Sequence, residues 1–156
     1  MTAYSYRHRQ VGLLFGIIAV TILVGGLILV RTLSFRAEQP TWLMVGLPVA
    51  ITVATLGLFS VLEISIDAQH LTWRFLPVFI TKSVLLADIL EAKPTRTSFI
   101  YGWGIHYTDR GWLYNVSGLG AVHIRMRNGK QFMLGTDQPA ALADAINRSR
   151  NSLPLA

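Results

Sequence analysis

The sequence has no cysteine among its 156 residues. Disulfides, thiolate zinc sites, iron–sulfur clusters and cysteine nucleophiles are therefore excluded. Charge is also scarce, at 14% of residues, where about a quarter is usual in a soluble domain. The shortage is local. Residues 1–62 carry five charged side chains, Arg7, Arg9, Arg31, Arg36 and Glu38, and residues 63–156 carry the other seventeen. An ordinary soluble globule is not written that way. The division predicts a membrane half over residues 1–62 and a water-facing half over residues 63–156, long enough for one modest core. The net charge of +6 is diluted along the chain and partly flanks the apolar runs. It reads as membrane flanks beside anionic lipid, and it lacks the concentrated stripe of a nucleic-acid binder.

Two uncharged runs define the first half. Residues 11–30 form one run and residues 42–62 the second, joined by a loop containing Arg31, Arg36, Glu38 and Pro40. A helix of about 20 residues spans about 30 Å, the thickness of the hydrocarbon core. The pattern predicts a transmembrane hairpin. Arg7, His8 and Arg9 resemble the basic end of a signal peptide, but the run is too long for one and no A-x-A-like cleavage site follows. Arg7, Arg9, Arg74 and Lys82 on the terminal side outnumber Arg31 and Arg36 on the loop side. That bias places both termini in the cytoplasm of a multi-pass inner (plasma) membrane protein. Trp42, Tyr4 and Tyr6 suit interfacial anchors. The runs hold no ionisable residue, which argues against a pump or transporter made from this chain alone. Gly12 and Gly16, with Gly46, Ala50 and Ala54, are candidate helix-packing positions; the ordinary abundance of Gly and Ala in membrane helices is the alternative reading. Pro48 is placed to kink the second helix.

The second half reads as short strands. Residues 62–66 and 71–76 pair across a turn at Asp67-Ala68-Gln69-His70, with Leu71, Trp73 and Phe75 on one face and Thr72 and Arg74 on the other. Further strands are expected at 81–86, 90–93 (ended by Pro94), 111–116, 121–127 and 130–134, the last two joined by Asn128-Gly129. Residues 98–108 read as irregular and aromatic. Thr136 or Asp137 is expected to cap a helix opened by Pro139 and reaching about Arg148, buried through Leu142 and Ile146. The expected fold class is α+β: a two-helix transmembrane hairpin, then seven strands in a bent sheet or partly open barrel, plugged by one C-terminal helix.

That order, with the stretches Leu85-Leu86-Ala87-Asp88-Ile89, Tyr101-Gly102-Trp103-Gly104-Ile105, Gly111-Trp112-Leu113-Tyr114-Asn115-Val116 and Gly135-Thr136-Asp137-Gln138-Pro139, resembles bacterial pleckstrin-homology-like (PH-like) domains found behind membrane helices. The resemblance covers roughly residues 62–150. It implies a fold and a location, and no activity. Phosphoinositide-binding PH domains carry basic residues in the first hairpin; here that turn has none and Arg74 stands alone, which argues against such binding.

Candidates for chemistry are weak. His8, His70, His106 and His123 lack a metal-ligand spacing, although His106 and His123 are placed to approach across a sheet. Asp88 and Glu91 fit a solvated turn, and Asp109-Arg110 a turn with a surface ion pair. Gly102-x-Gly104 and Gly118-x-Gly120 lack the rest of a dinucleotide fingerprint. Asn115-Val116-Ser117 matches a glycosylation sequon by chance. No catalytic, cofactor or metal residues are assigned, and no cofactor is expected. The candidate interaction surface is Tyr101, Trp103, Tyr107, Trp112 and Tyr114, for which a docking face and a buried plug are both open. Arg7, Arg9 and Arg74 are the candidate membrane-flank basic residues. The expected role is a non-catalytic, membrane-anchored interaction or scaffolding module, its partners the bilayer and another membrane protein or a second copy. The alternatives are an accessory subunit of a membrane enzyme or transporter, and an anionic-lipid-sensing domain.

Overall fold

A computed structural model describes residues 6–34, 45–58, 61–76 and 80–152. The order of elements is β1 (Tyr6–Val11), α1 (Leu13–Ser34), α2 (Leu47–Leu58), β2 (Val61–Ile66), β3 (His70–Leu76), β4 (Ile80–Leu85), β5 (Ile89–Arg96), β6 (Gly104–Thr108), β7 (Gly111–Asn115), β8 (Gly120–Met126), β9 (Gln131–Gly135) and α3 (Pro139–Asn151). The chain is α+β, with three α-helices and two sheets of four and five strands among the described residues. The four-stranded sheet runs β1-β2-β3-β4 and the five-stranded sheet β5-β8-β9-β7-β6.

Two strands lie outside the expected seven. The first, β1, pairs antiparallel with β2, Val11 opposite Val61 and Tyr6 opposite Ile66. Its sequence, YRHRQV, alternates with period two, with Arg7 and Arg9 on the exposed face. The sheet therefore draws on both sides of the boundary placed between residues 62 and 63. The second, β6, falls within the stretch expected to be irregular and pairs with β7. Pro94 does not end β5, which runs on to Arg96 and pairs through Pro94 opposite Val122. Proline is tolerated there because β5 is an edge strand. The Asn128-Gly129 turn takes four residues: Met126 N–H donates to Lys130 O at 2.8 Å and Gly129 N–H to Met126 O at 3.1 Å, with Gly129 at φ 82°.

The first sheet sorts its faces as alternation demands. Leu62, Ile64, Ile66, Leu71, Trp73 and Phe75 point into the core, while Arg9, Glu63, Arg74 and Thr81 form one cross-strand row on the other face. The core is closed from the second sheet by Tyr114, Val122, Ile124, Phe132 and Leu134, and from α3 by Leu142, Ala143, Ala145 and Ile146. The flank of α3 also matters. Asn147 accepts from the Ala92 amide at 3.3 Å and donates to the Ala92 carbonyl at 2.9 Å, and the Arg150 guanidinium bonds the Leu90 carbonyl. The β5 edge is thus covered by side chains. Neither Thr136 nor Asp137 caps α3. Gln138 holds the N-cap position, Thr136 Oγ1 accepts from the Gln138 amide, and Asp137 contacts His8 at 2.6 Å.

The start of α1, at Leu13, replaces the expected start at 11, since Val11 belongs to β1. Its segment Gly16–Leu33 is, among the described residues, the one helix long and apolar enough to cross a membrane, with 6% of that window buried. The second run is helical over Leu47–Leu58, and Val61 and Leu62 already belong to β2; Tyr4, Arg36, Glu38, Pro40 and Trp42 lie outside the described residues. The two helices meet at Gly26, where an added Cβ would lie 2.6 Å from Val49 Cγ2. The candidate packing residues are elsewhere. Gly16 and Gly46 face open space, Ala50 and Ala54 are exposed, and Gly12 is the buried link between β1 and α1.

Candidate interaction surfaces

The five aromatic candidates separate into three environments. Tyr114 is core, 3% exposed, with its ring centroid 5.3 Å from Trp73 and 6.5 Å from Phe132. Its strand, β7, lies inside the sheet between β9 and β6. Tyr101 and Trp103 are half-buried. The Tyr101 hydroxyl donates to Asp109 Oδ1 at 3.0 Å, and that bond together with the carboxylate's charge pushes the phenol pKa up. Tyr107 and Trp112 are the exposed pair, opposite each other across β6 and β7 and packed edge-to-face at 5.4 Å. Beside these five, Ile100 is the most exposed large apolar side chain of the strand domain, next to Phe99, which opens the aromatic segment. Phe99 is 71% and Ile100 91% exposed, on the one-turn 3-10 helix Phe99–Tyr101. A local sequence cannot separate an aromatic turn that packs inward from one that projects.

A groove of about 630 Å³ opens between β4 and the second sheet. Trp73, Tyr114 and Phe132 contribute its aromatic side, with Trp73 and Phe132 stacked at 4.9 Å. Lys82 and Lys130 also line it, and Lys82 Nζ sits 5.5 Å from the Tyr114 ring centroid. That distance is within cation–π range. Strand β4 pairs with β3 alone, leaving its other edge unpaired among the described strands.

The flank arginines have a different local partner. Glu63 is nearly buried and accepts from Arg7 at 2.9 and 3.1 Å and from Arg74 at 2.5 Å. Burial raises the carboxyl pKa, but the hydrogen bonds and charges of Arg7 and Arg74 outweigh it and hold the value below normal. The cluster ties β1 and β3 to β2. Arg9, one of the same three candidates, is exposed.

The weak chemical candidates are dispersed. His106 and His123 sit on β6 and β8, separated by β7 and β9, about 14 Å at ordinary strand spacing. His106 bonds the Trp103 carbonyl and His123 the Gln131 side chain. No group of three metal-ligating side chains occurs among the described residues. Asp109 and Arg110 take separate partners, Tyr101 and Thr95. Glu91 pairs with Lys93 and Arg125. Asn115 is fully buried and bonds the Gly118 carbonyl and the Ser117 amide, which makes the sequon a turn residue.

No protein-family model matches the chain, and no curated protein matches it.

Proposed function

We propose that this chain is a membrane-anchored, PH-like interaction module with no catalytic role, held in the bilayer by a hairpin of α1 and α2. The observation that carries this reading is how the helices join the domain. The antiparallel pair β1–β2 has Val11 opposite Val61, with one residue between Val11 and the start of α1 at Leu13 and two between the end of α2 at Leu58 and Val61. Two strands of one sheet thus join two apolar helices, on the α1 side through Gly12 alone. A domain tethered so closely has a raised effective concentration toward other membrane proteins. The groove beside the unpaired edge of β4, lined by the exposed Trp112 and by Lys82, Lys130 and Asp88, offers a surface for a partner. The arginine-free first turn still argues against phosphoinositide recognition. Both termini face the cytoplasm in this reading.

Photo-crosslinking in native membranes tests it. A photoreactive residue replacing Lys82, whose side chain faces the groove, should capture a membrane-protein partner or a second copy, and the same residue at Asp144 on the exposed side of α3 should not. Extraction of the chain by alkaline carbonate, or equal capture at both positions, would refute the proposal. One stoichiometric partner that fails to accumulate without this chain would favour an accessory-subunit role.

A further inference from the structure

The most exposed apolar pair of the strand domain lies near the end that bears the helices. The turn between β2 and β3 marks the opposite end. Leu86 N–H bonds the Gln69 carbonyl there, and Arg127 N–H bonds the Asp88 carbonyl, each at 2.8 Å. Strand β5 therefore starts at that far end. Its eight residues, about 26 Å of strand, run back toward the helices. At its finish Thr97 bonds the Leu119 carbonyl through its amide at 2.8 Å and its hydroxyl at 3.3 Å. Two residues from Leu119, Ser117 receives the Gln10 side chain at 3.0 Å, and Gln10 immediately precedes Val11 and α1. Phe99 and Ile100 follow within three residues of Thr97.

The turn is built to present them. Ser98 Oγ accepts from the Ile100 amide, Tyr101 N–H bonds the Ser98 carbonyl, and Gly102 N–H bonds the Phe99 carbonyl. Phe99 is braced edge-to-face on Trp103 at 5.8 Å. Two cations flank the turn, Arg96 and Arg110, both exposed. The neighbouring carboxylate, Asp109, accepts from Tyr101. An apolar tip with cationic flanks is complementary to the boundary between acyl chains and anionic headgroups.

We propose that the Phe99–Tyr101 turn is a lipid-interface anchor: Phe99 and Ile100 enter the headgroup boundary of the bilayer that α1 crosses, while Arg96 and Arg110 lie against anionic headgroups. This rests on the membrane reading of α1 given above. The consequence is a fixed tilt of the domain, set by two points of attachment, the helix junction and this turn.

Because the chain has no cysteine, single-site labelling is direct. The full chain is reconstituted in phosphatidylcholine vesicles with and without phosphatidylglycerol, carrying an environment-sensitive fluorophore on Ile100→Cys, Val24→Cys or Ala68→Cys. Val24 lies in α1 and Ala68 in the far β2–β3 turn. The Ile100 probe should shift to the blue and be quenched by spin labels near the headgroups, more strongly with phosphatidylglycerol. Arg96→Gln with Arg110→Gln should remove that dependence. The Val24 probe should respond to deep labels and the Ala68 probe to neither. An Ile100 probe behaving like Ala68, while Val24 is quenched by deep labels, overturns the anchor and leaves the span intact. An unquenched Val24 probe overturns the span and the anchor with it. Protection of Ile100 in native membranes but not in lipid vesicles assigns the tip to a protein partner and overturns the anchor.

Discussion

Glu63 is the sharpest point at which to perturb the structure, because one carboxylate joins three strands. Arg7 of β1 reaches it with two bonds, at 2.9 and 3.1 Å, and Arg74 of β3 with one at 2.5 Å. The two arms are unequal. The Arg7 side chain is 68% exposed and that of Arg74 38%, against 7% for Glu63. Exposed ion pairs contribute about 0.2–1 kcal/mol, and shielded hydrogen bonds to charge about 1.5–3 kcal/mol. Glu63→Gln keeps the volume and loses the charge, so it should destabilise by about 2 kcal/mol, with Arg74 as the larger partner. For a domain of this size the melting temperature should fall by roughly 8 °C or more. Intrinsic tryptophan fluorescence of the full chain in detergent reads this directly, since Trp73 adjoins Arg74 and stacks on Phe132. The pH dependence has a definite sign. The carboxyl pKa is depressed in the folded chain, so its stabilisation is complete above the ordinary glutamate value of about 4.3 and is lost as pH falls through the lower folded value. The gap between the native chain and Glu63→Gln should therefore be full at neutral pH and close in acid. Equal melting at neutral pH, a gap that widens in acid, or equal losses for Arg7→Gln and Arg74→Gln would refute the reasoning.

Gly111 has φ 87° and an added Cβ would run into the Gln131 carbonyl, whereas Gly118, at φ 72°, faces open space; Gly118→Ala should cost about 1–2 kcal/mol and Gly111→Ala distinctly more, as denaturant midpoints will show. Asn147→Ala strips both bonds from Ala92 on the β5 edge and should cost about 1–2 kcal/mol, with faster hydrogen exchange confined to β5 and α3. Tyr114→Ala empties a core aromatic site and should cost about 3–5 kcal/mol, while Tyr107→Ala should stay within about 0.5 kcal/mol in the same melts. An added Cβ at Gly26 would lie 3.3 Å from Val49 Cβ, close to disulfide geometry, so Gly26→Cys with Val49→Cys should crosslink within one chain on oxidation and Gly46→Cys with Gly26→Cys should not; mobility on non-reducing gels reads the result.

Local pattern alone was enough for the elements whose signal is periodic and undisguised. The uncharged run 11–30 is apolar on every face, and it is helical from Leu13 on. The alternation of Leu71, Trp73 and Phe75 set the core face of β3, and Leu142 with Ile146 that of α3, because a period of two or of 3.6 residues determines what shares a side. Tertiary structure decided the rest. Strand β1 is hydrogen-bonded to β2, more than fifty residues away in the chain, and its arginines resemble a membrane flank until Glu63 is placed between them. The parallel pairing of β7 with β9, Trp112 opposite Phe132, leaves no mark in either strand, since strand order is a property of the folded sheet. It is that order which separates His106 from His123 and puts Tyr114 in the core. Whether a large apolar side chain is buried or presented depends on what lies across from it: Tyr114 meets Trp73 and Phe132, whereas Ile100 meets solvent or, by the anchor proposed above, lipid. Composition determined that this chain has an apolar segment and a sheet-rich domain; only packing determined that β1 binds the two together.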